Sequence, residues 1–172
     1  MTTLTTARLV LRQPRLDDLD ALFAIMSTPA AMRYWSTVPH ASRETTAILL
    51  DKILASTAAG GQEYMIERDG QFIGKVGAGL LPHFGFIIDP AHWGQGYATE
   101  ASQAYIAHVF SVTDAQKLVA DVDPRNTASL RVLNRLGFTE TGRAERTFLL
   151  GDEWCDSIYL QLDRPPGHLK ER

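Results

Sequence analysis

The stretch from Phe84 to Phe110 limits the folds open to this chain more than any other. It begins with an apolar run, Phe84 to Ile88, closed by Pro82 on one side and Asp89-Pro90 on the other, and reads as a buried strand. A short loop with two glycines, Gly94 and Gly96, follows. Apolar or small residues then recur at Ala98, Ala101, Ser102, Tyr105, Ile106, Val109 and Phe110, the spacing of one helix face. A strand, glycine loop and helix in this order can bind an anion. The first amides of a helix have no partner inside it, and the helix dipole adds partial positive charge there. Glycines let the loop turn tightly and let a phosphate approach the backbone. The spacing places the amides of Gln95, Gly96, Tyr97, Ala98 and Thr99 at that end. An ordinary strand-to-helix turn with incidental glycines has the same spacing.

Two nucleotide motifs do not fit. A Walker loop needs Gly-Lys-Ser/Thr, which is missing, and the dinucleotide fingerprint needs glycine where Thr99 stands. The 172 residues suit one domain, 1–172, with a core from about residue 7 to residue 162 and a frayed tail over 163–172. A net charge of −3 gives no general surface for nucleic acid or anionic membrane. No apolar run approaches the roughly 18 residues of a membrane span, and no signal-peptide pattern opens the chain. A single cysteine, Cys155, excludes an internal disulfide and fits a reducing compartment, so a cytoplasmic protein is expected. The five histidines lack metal-ligand spacing, and no metal is expected.

Around the central unit, Ala7 to Arg12 alternates as a first strand. A helix follows from Asp17-Asp18, with Leu19, Leu22, Phe23 and Met26 on one face. Ser42 can cap a second helix with a stripe of Leu49, Leu50, Ile53 and Leu54. Glu63–Glu67 and Phe72–Ala78 form a hairpin across Arg68-Asp69-Gly70. After the long helix come a strand at Lys117–Val122 and a helix capped by Asn126 that ends at Gly137. Strands at about Thr139–Arg146 and Glu153–Leu162 close the domain.

Trp93-Gly94-Gln95-Gly96-Tyr97-Ala98-Thr99-Glu100-Ala101 resembles the acetyl-CoA loop of the GNAT superfamily of N-acetyltransferases. Gly96 and Ala98 match the last two fixed positions of its Q/R-x-x-G-x-G/A pattern. Trp93 departs at the first, as is usual in the branch resembling ribosomal-protein N-terminal (RimJ/RimL-like) acetyltransferases. The run from Asn126 to Gly137-Phe138 resembles the family's second signature, and Thr6-Ala7-Arg8-Leu9-Val10-Leu11-Arg12 resembles the opening of that branch. The resemblance covers roughly Ala7 to Leu162. It implies the GNAT α/β fold, a mixed, mostly antiparallel sheet flanked by helices, with two splayed central strands forming the acetyl-CoA cleft.

By the same resemblance the protein transfers an acetyl group from acetyl-CoA directly to a primary amine, either a protein N-terminus or a small amine. It would act as a monomer or homodimer, without nucleic acid, membrane or metal. A non-catalytic acyl-CoA-binding domain on the same fold is the alternative. The loop from Trp93 to Thr99 would hold the pyrophosphate. Backbone groups of Phe86, Ile87 and Ile88 would pair with the pantetheine arm, and Asn126 and Ser129 would touch the pantetheine or phosphate part. Leu133 stands where many relatives carry an acidic tyrosine, which leaves Ser129 as a hydrogen-bond partner for the thiolate. Tyr34, Trp35 and His40 are candidates for the acceptor site, though the two aromatics could equally pack beneath the loop. An amine with a pKa near 10 must lose a proton before it attacks. His83, at the head of the central strand, is the expected acceptor of that proton, with Glu63, Glu100 and Glu153 as rivals. Cys155 is expected to pack.

Overall fold

The computed structural model describes residues 2–166. Eight strands and five helices follow one another as β1 (Leu4–Thr5), β2 (Val10–Arg12), α1 (Leu19–Met26), α2 (Pro29–Met32), α3 (Arg43–Ala58), β3 (Gln62–Arg68), β4 (Gln71–Ala78), β5 (Phe86–Ile88), α4 (Tyr97–Val112), β6 (Lys117–Val122), α5 (Thr127–Arg135), β7 (Thr139–Leu150) and β8 (Glu153–Asp163). The strands form a five-stranded sheet in the order β1-β2-β3-β4-β5 and a three-stranded sheet in the order β6-β8-β7. All neighbours within each sheet are antiparallel.

Among the described residues one parallel bridge, between His83 and Val119, joins the two sheets. The Phe84 amide donates to the Val119 carbonyl at 2.8 Å, and the Val119 amide to the Pro82 carbonyl at 2.8 Å. One residue later the chain changes partner, and the Gly85 carbonyl accepts from the Gly77 amide of β4 at 2.8 Å. From there β5 follows β4 and leaves β6. This fork is the splay that the family resemblance implies. It also shortens the expected strand 84–88 to Phe86–Ile88, because Phe84 belongs to the β6 side of the fork.

The period-2 alternation of the sheet divides the core in two. On one face Leu9, Leu11, Tyr64, Ile66, Ile73 and Phe84 meet Tyr105, Val109 and Phe110 of α4. On the other, Met65 and Ile87 meet Leu22, Ile25 and Met26 of α1 and Leu50 and Ile53 of α3. The hairpin turns on Asp69 and Gly70, both at positive φ, as a two-residue turn matched to the strand twist requires. Ser42 caps α3 by accepting from the Thr45 amide.

Three features differ from expectation. β1 pairs with β2 and extends the body toward the N-terminus beyond residue 7. α2, which starts on Pro29, a residue suited to the first turn of a helix, is a short helix between the two expected ones. β8 runs to Asp163, and the Arg164 guanidinium donates to the Phe110 carbonyl at 2.6 Å and the Thr113 carbonyl at 2.5 Å. The start of the expected tail is therefore fixed to the end of α4, and residues 167–172 lie outside the described ones.

Gly77 lies where β4 receives the chain from the fork. A Cβ there would sit 2.2 Å from the Gln62 carbonyl oxygen and 2.6 Å from the Tyr105 ring, at a φ of +105°. Gly77→Ala should cost about 1–3 kcal/mol through overpacking alone, measured as a lower urea midpoint at unchanged slope.

Candidate active site

The loop between β5 and α4 is shaped by its glycines and its tryptophan. Gly94 has φ +73° and Gly96 φ +82°, values that L side chains adopt only under strain. The Trp93 indole N–H donates to the Ile88 carbonyl at 2.8 Å and ties the loop to the end of β5. Gly96 is the N-cap of α4, and no side chain caps that end. The first amides of this 16-residue helix are left to a ligand or to water.

These amides border a cavity of about 560 Å³ that runs from the loop along β5 to α5. Register decides what β5 offers it. The Gly85 carbonyl and the Asp89 amide bond to β4, and Ile87 pairs with Lys75. Strand alternation therefore turns the amides of Phe86 and Ile88 to the open edge. A second cavity, about 210 Å³, occupies the fork between β5 and β6. Tyr34, Trp35, Phe86, Asn126 and Ser129 line both, so the two form one cleft.

Charge is distributed unevenly along this cleft. Arg33, Arg131 and Arg135 line the larger cavity, and among the described residues none of the three is in an ion pair. Asp121 is the one acidic residue among the described residues that line either cavity, and it sits in the fork. The parallel bridge explains its position. His83 is level with Val119, so two residues further along each strand Gly85 is level with Asp121. Asp121 stands past the branch point, opposite a residue without a side chain, whereas His83 stands before it, where the strands are still paired. His83 is exposed and lines neither cavity.

The structure brings together most of the residues expected from the sequence. Phe86, Ile87, Ile88, Trp93, Gly94, Gly96, Tyr97, Ala98, Thr99, Asn126 and Ser129 line the larger cavity. Gln95 does not, because it is exposed and its carbonyl accepts from Arg8 at 3.0 Å. Asn126 caps α5 by accepting from the Ser129 amide at 3.1 Å. Leu133 is buried in the floor of the fork.

Tyr34 and Trp35 form the opposite wall. Arg33 and Arg125 guanidinium carbons lie 5.2 and 5.9 Å from the Tyr34 ring centre, and the Lys75 ammonium lies 5.3 Å from that of Trp35. Arg125 is itself held by Asp123 and Glu153, at 2.6 and 2.5 Å. That hydrogen bonding keeps the Asp123 carboxyl below its ordinary range against the opposing effect of burial.

Other expected residues lie elsewhere. His40 is buried against α3, where Nδ1 shares a hydrogen bond with the Thr46 hydroxyl at 2.8 Å, and desolvation lowers its pKa. It is a packing residue and lines neither cavity. Glu63 is buried in an ion pair with Lys75, Glu100 binds Arg8, and Glu153 binds Arg125. Burial pushes the Cys155 thiol pKa up, and the residue lines neither cavity. Among the described residues no group of three or more His, Cys, Asp or Glu could hold a metal, and no helix is long and apolar enough to cross a membrane.

Comparison with known proteins gives the class. The family model for the acetyltransferase (GNAT) domain matches residues 8–139. An uncharacterized N-acetyltransferase, p20, of Bacillus licheniformis is 31% identical over 152 residues, covering 83% of this chain and 85% of the relative. Among solved structures, RimL, a ribosomal L7/L12 α-N-protein acetyltransferase in complex with coenzyme A, superposes with a TM-score of 0.84 at 21% identity, covering 94% and 98% of the two chains. The spermidine N-acetyltransferase of Vibrio cholerae, in complex with CoA and spermine, gives 0.79 at 21%, covering 92% and 96%. The chain belongs to the GNAT family and is an N-acetyltransferase.

The Asn126 cap can be tested independently of any ligand. Asn126→Ala should lower stability by about 0.5–2 kcal/mol, the usual cost of losing such a cap, with urea unfolding as the measurement.

Proposed function

We propose that this enzyme moves an acetyl group directly from acetyl-CoA to a primary amine, either a protein N-terminus or a small amine, in the cytoplasm. One observation carries the reading. A single cleft runs from an uncapped helix N-terminus, in a cavity also lined by Arg131 and Arg135, along an unpaired strand edge, to one carboxylate between aromatic walls. The polyanionic end of acetyl-CoA suits the first part and a cationic acceptor the last. Two structural neighbours were solved with coenzyme A, one of them also with spermine. No observation favours a non-catalytic domain.

The roles follow from position. The amides of Gly96 to Thr99, with Arg131 and Arg135, bind the phosphates. The edge of β5 at Phe86 and Ile88 pairs with the pantetheine arm and directs one amide at the thioester oxygen. Asp121 binds the acceptor's ammonium group and takes its proton, the role the sequence suggested for His83. The neutral amine then attacks the thioester carbon, the C–S bond breaks, and the sulfur leaves as thiolate. Ser129 hydrogen-bonds that sulfur, since Leu133 offers no acid; the second proton, which the nitrogen sheds as the amide forms, goes to the thiolate, and the proton held at Asp121 passes to solvent. With Cys155 outside the cleft, no acyl-enzyme forms.

Two measurements test this account. Gly96→Arg forces a side chain onto a φ of +82° with its Cβ 3.5 Å from the Arg8 guanidinium, which distorts the loop, and removing each charge-assisted hydrogen bond from an amide to the phosphates should cost about 1.5–3 kcal/mol, or roughly 10- to 150-fold in affinity. Titration calorimetry with acetyl-CoA reads the weakening, and unchanged affinity in a folded variant would remove the loop from the cofactor site. Asp121→Asn should lower kcat by about 10²–10⁴ in a thiol-release assay over an amine panel, with acetyl-CoA affinity intact. His83→Ala should retain near-normal turnover, and the opposite pattern would return the role to His83.

A further inference from the structure

The phosphate loop is gripped from the side away from the cavity. Arg8, in the segment between β1 and β2, lines neither cavity, yet it reaches three parts of the loop and the first turn of α4. Its Nη1 donates to the Gln95 carbonyl at 3.0 Å. Its Nε donates to Glu100 Oε2 at 2.7 Å, and Nη2 lies 2.6 Å from the same oxygen. Its guanidinium carbon lies 4.6 Å from the centre of the buried Tyr97 ring. The Arg8 amide also donates to Glu100 Oε1 at 2.9 Å, and the Thr6 hydroxyl donates to that oxygen at 2.6 Å. Glu100 thus accepts from the N-terminal segment through both carboxylate oxygens. Burial acts to raise its pKa, but the hydrogen bonds from Thr6 and Arg8 outweigh this and hold it below the ordinary carboxylate range.

Two consequences follow for the cavity side. With its carbonyl turned back to Arg8, Gln95 contributes no competing acceptor to the cradle. A carbonyl facing a phosphate would repel it. The arginine's charge is also matched by Glu100 at the helix end, so a cation is tolerated where the dipole alone would disfavour one. We infer that Arg8, acting through Gln95, Tyr97 and Glu100, is a positioning residue that sets the glycine loop in its phosphate-binding form before the cofactor arrives. The inference rests on the proposed function, since it assumes that acetyl-CoA is the ligand of the loop.

The closing experiment separates the two. Wild-type protein, Arg8→Ala and Arg8→Lys are titrated calorimetrically with CoA. Each is then assayed for thiol release over the amine panel with acetyl-CoA and with S-acetylpantetheine, which has the thioester but no phosphates. Arg8→Ala should bind CoA about tenfold or more weakly, the effect expected when a charged hydrogen-bonding partner is removed. Its kcat/KM should fall in proportion for acetyl-CoA while staying at the wild-type value for S-acetylpantetheine. Arg8→Lys keeps the charge without the planar fork that reaches Gln95 and Glu100 together, so it should fall between wild type and alanine. Should the alanine variant fail to fold, the lysine variant carries the same comparison. Wild-type CoA affinity in the folded variants, or an equal decrease with both donors, would overturn the inference and leave the proposed function standing. A wild-type protein that binds no CoA would overturn both.

Discussion

The arrangement of the cleft depends on the exchange of hydrogen-bond partners at residues 84 and 85. Phe84 is bonded to β6, and its ring packs against Phe138 and Tyr105 at centroid distances of 5.4 and 5.6 Å. Gly85 is already bonded to β4. Two adjacent residues with different partners force the strands apart, and the edge exposed in this way consists of backbone donors and acceptors that would be costly to bury unpaired. A strand edge of this kind is a ready template for an extended ligand. The core that anchors Phe84 therefore does more than stabilise the domain, because it fixes where the fork opens.

Free amides, Arg131 and Arg135 border the larger cavity, and Asp121 is the one carboxylate among the described residues that line the fork. The acids near this path are mostly already engaged. Asp123 and Glu153 neutralise Arg125, and Glu63 neutralises Lys75. Those pairs bring Arg125 near the Tyr34 ring and Lys75 near that of Trp35. The buried Glu63–Lys75 pair contributes little net stability, since desolvation offsets the attraction. Its consequence is local, in that it sets an ammonium beside the acceptor wall without leaving an unpaired charge there.

Features encoded locally were legible in the sequence. The glycine loop and its helix, the Asp69-Gly70 turn, the Ser42 and Asn126 caps and the Gly137 stop each depend on a few neighbouring residues, and the structure places them where the sequence pattern does. The position of Asp121 relative to His83 was not legible, because it is set by a parallel pairing between segments more than thirty residues apart, which neither segment encodes by itself. The spacing of Arg131 and Arg135, one helical turn apart, was visible and could have marked a basic face. The place of His40, away from both cavities, was not legible because its buried partner, Thr46, lies on a helix whose packing the local pattern did not specify.

The start of α4 shows how a local sacrifice serves the site. A serine or aspartate N-cap would have stabilised this helix by a few tenths of a kcal/mol over glycine, yet its oxygen would occupy an amide the loop needs free. Glycine at the cap leaves the amides open, and its φ of +82° gives the loop a bend that other residues make only under strain. The missing stabilisation is restored from outside the helix, where Glu100 in the first turn suits the dipole and is bonded to Thr6 and Arg8. Because that support approaches from the N-terminal segment, on the side away from the cavity, it strengthens the helix end without covering the surface on which an anion would rest.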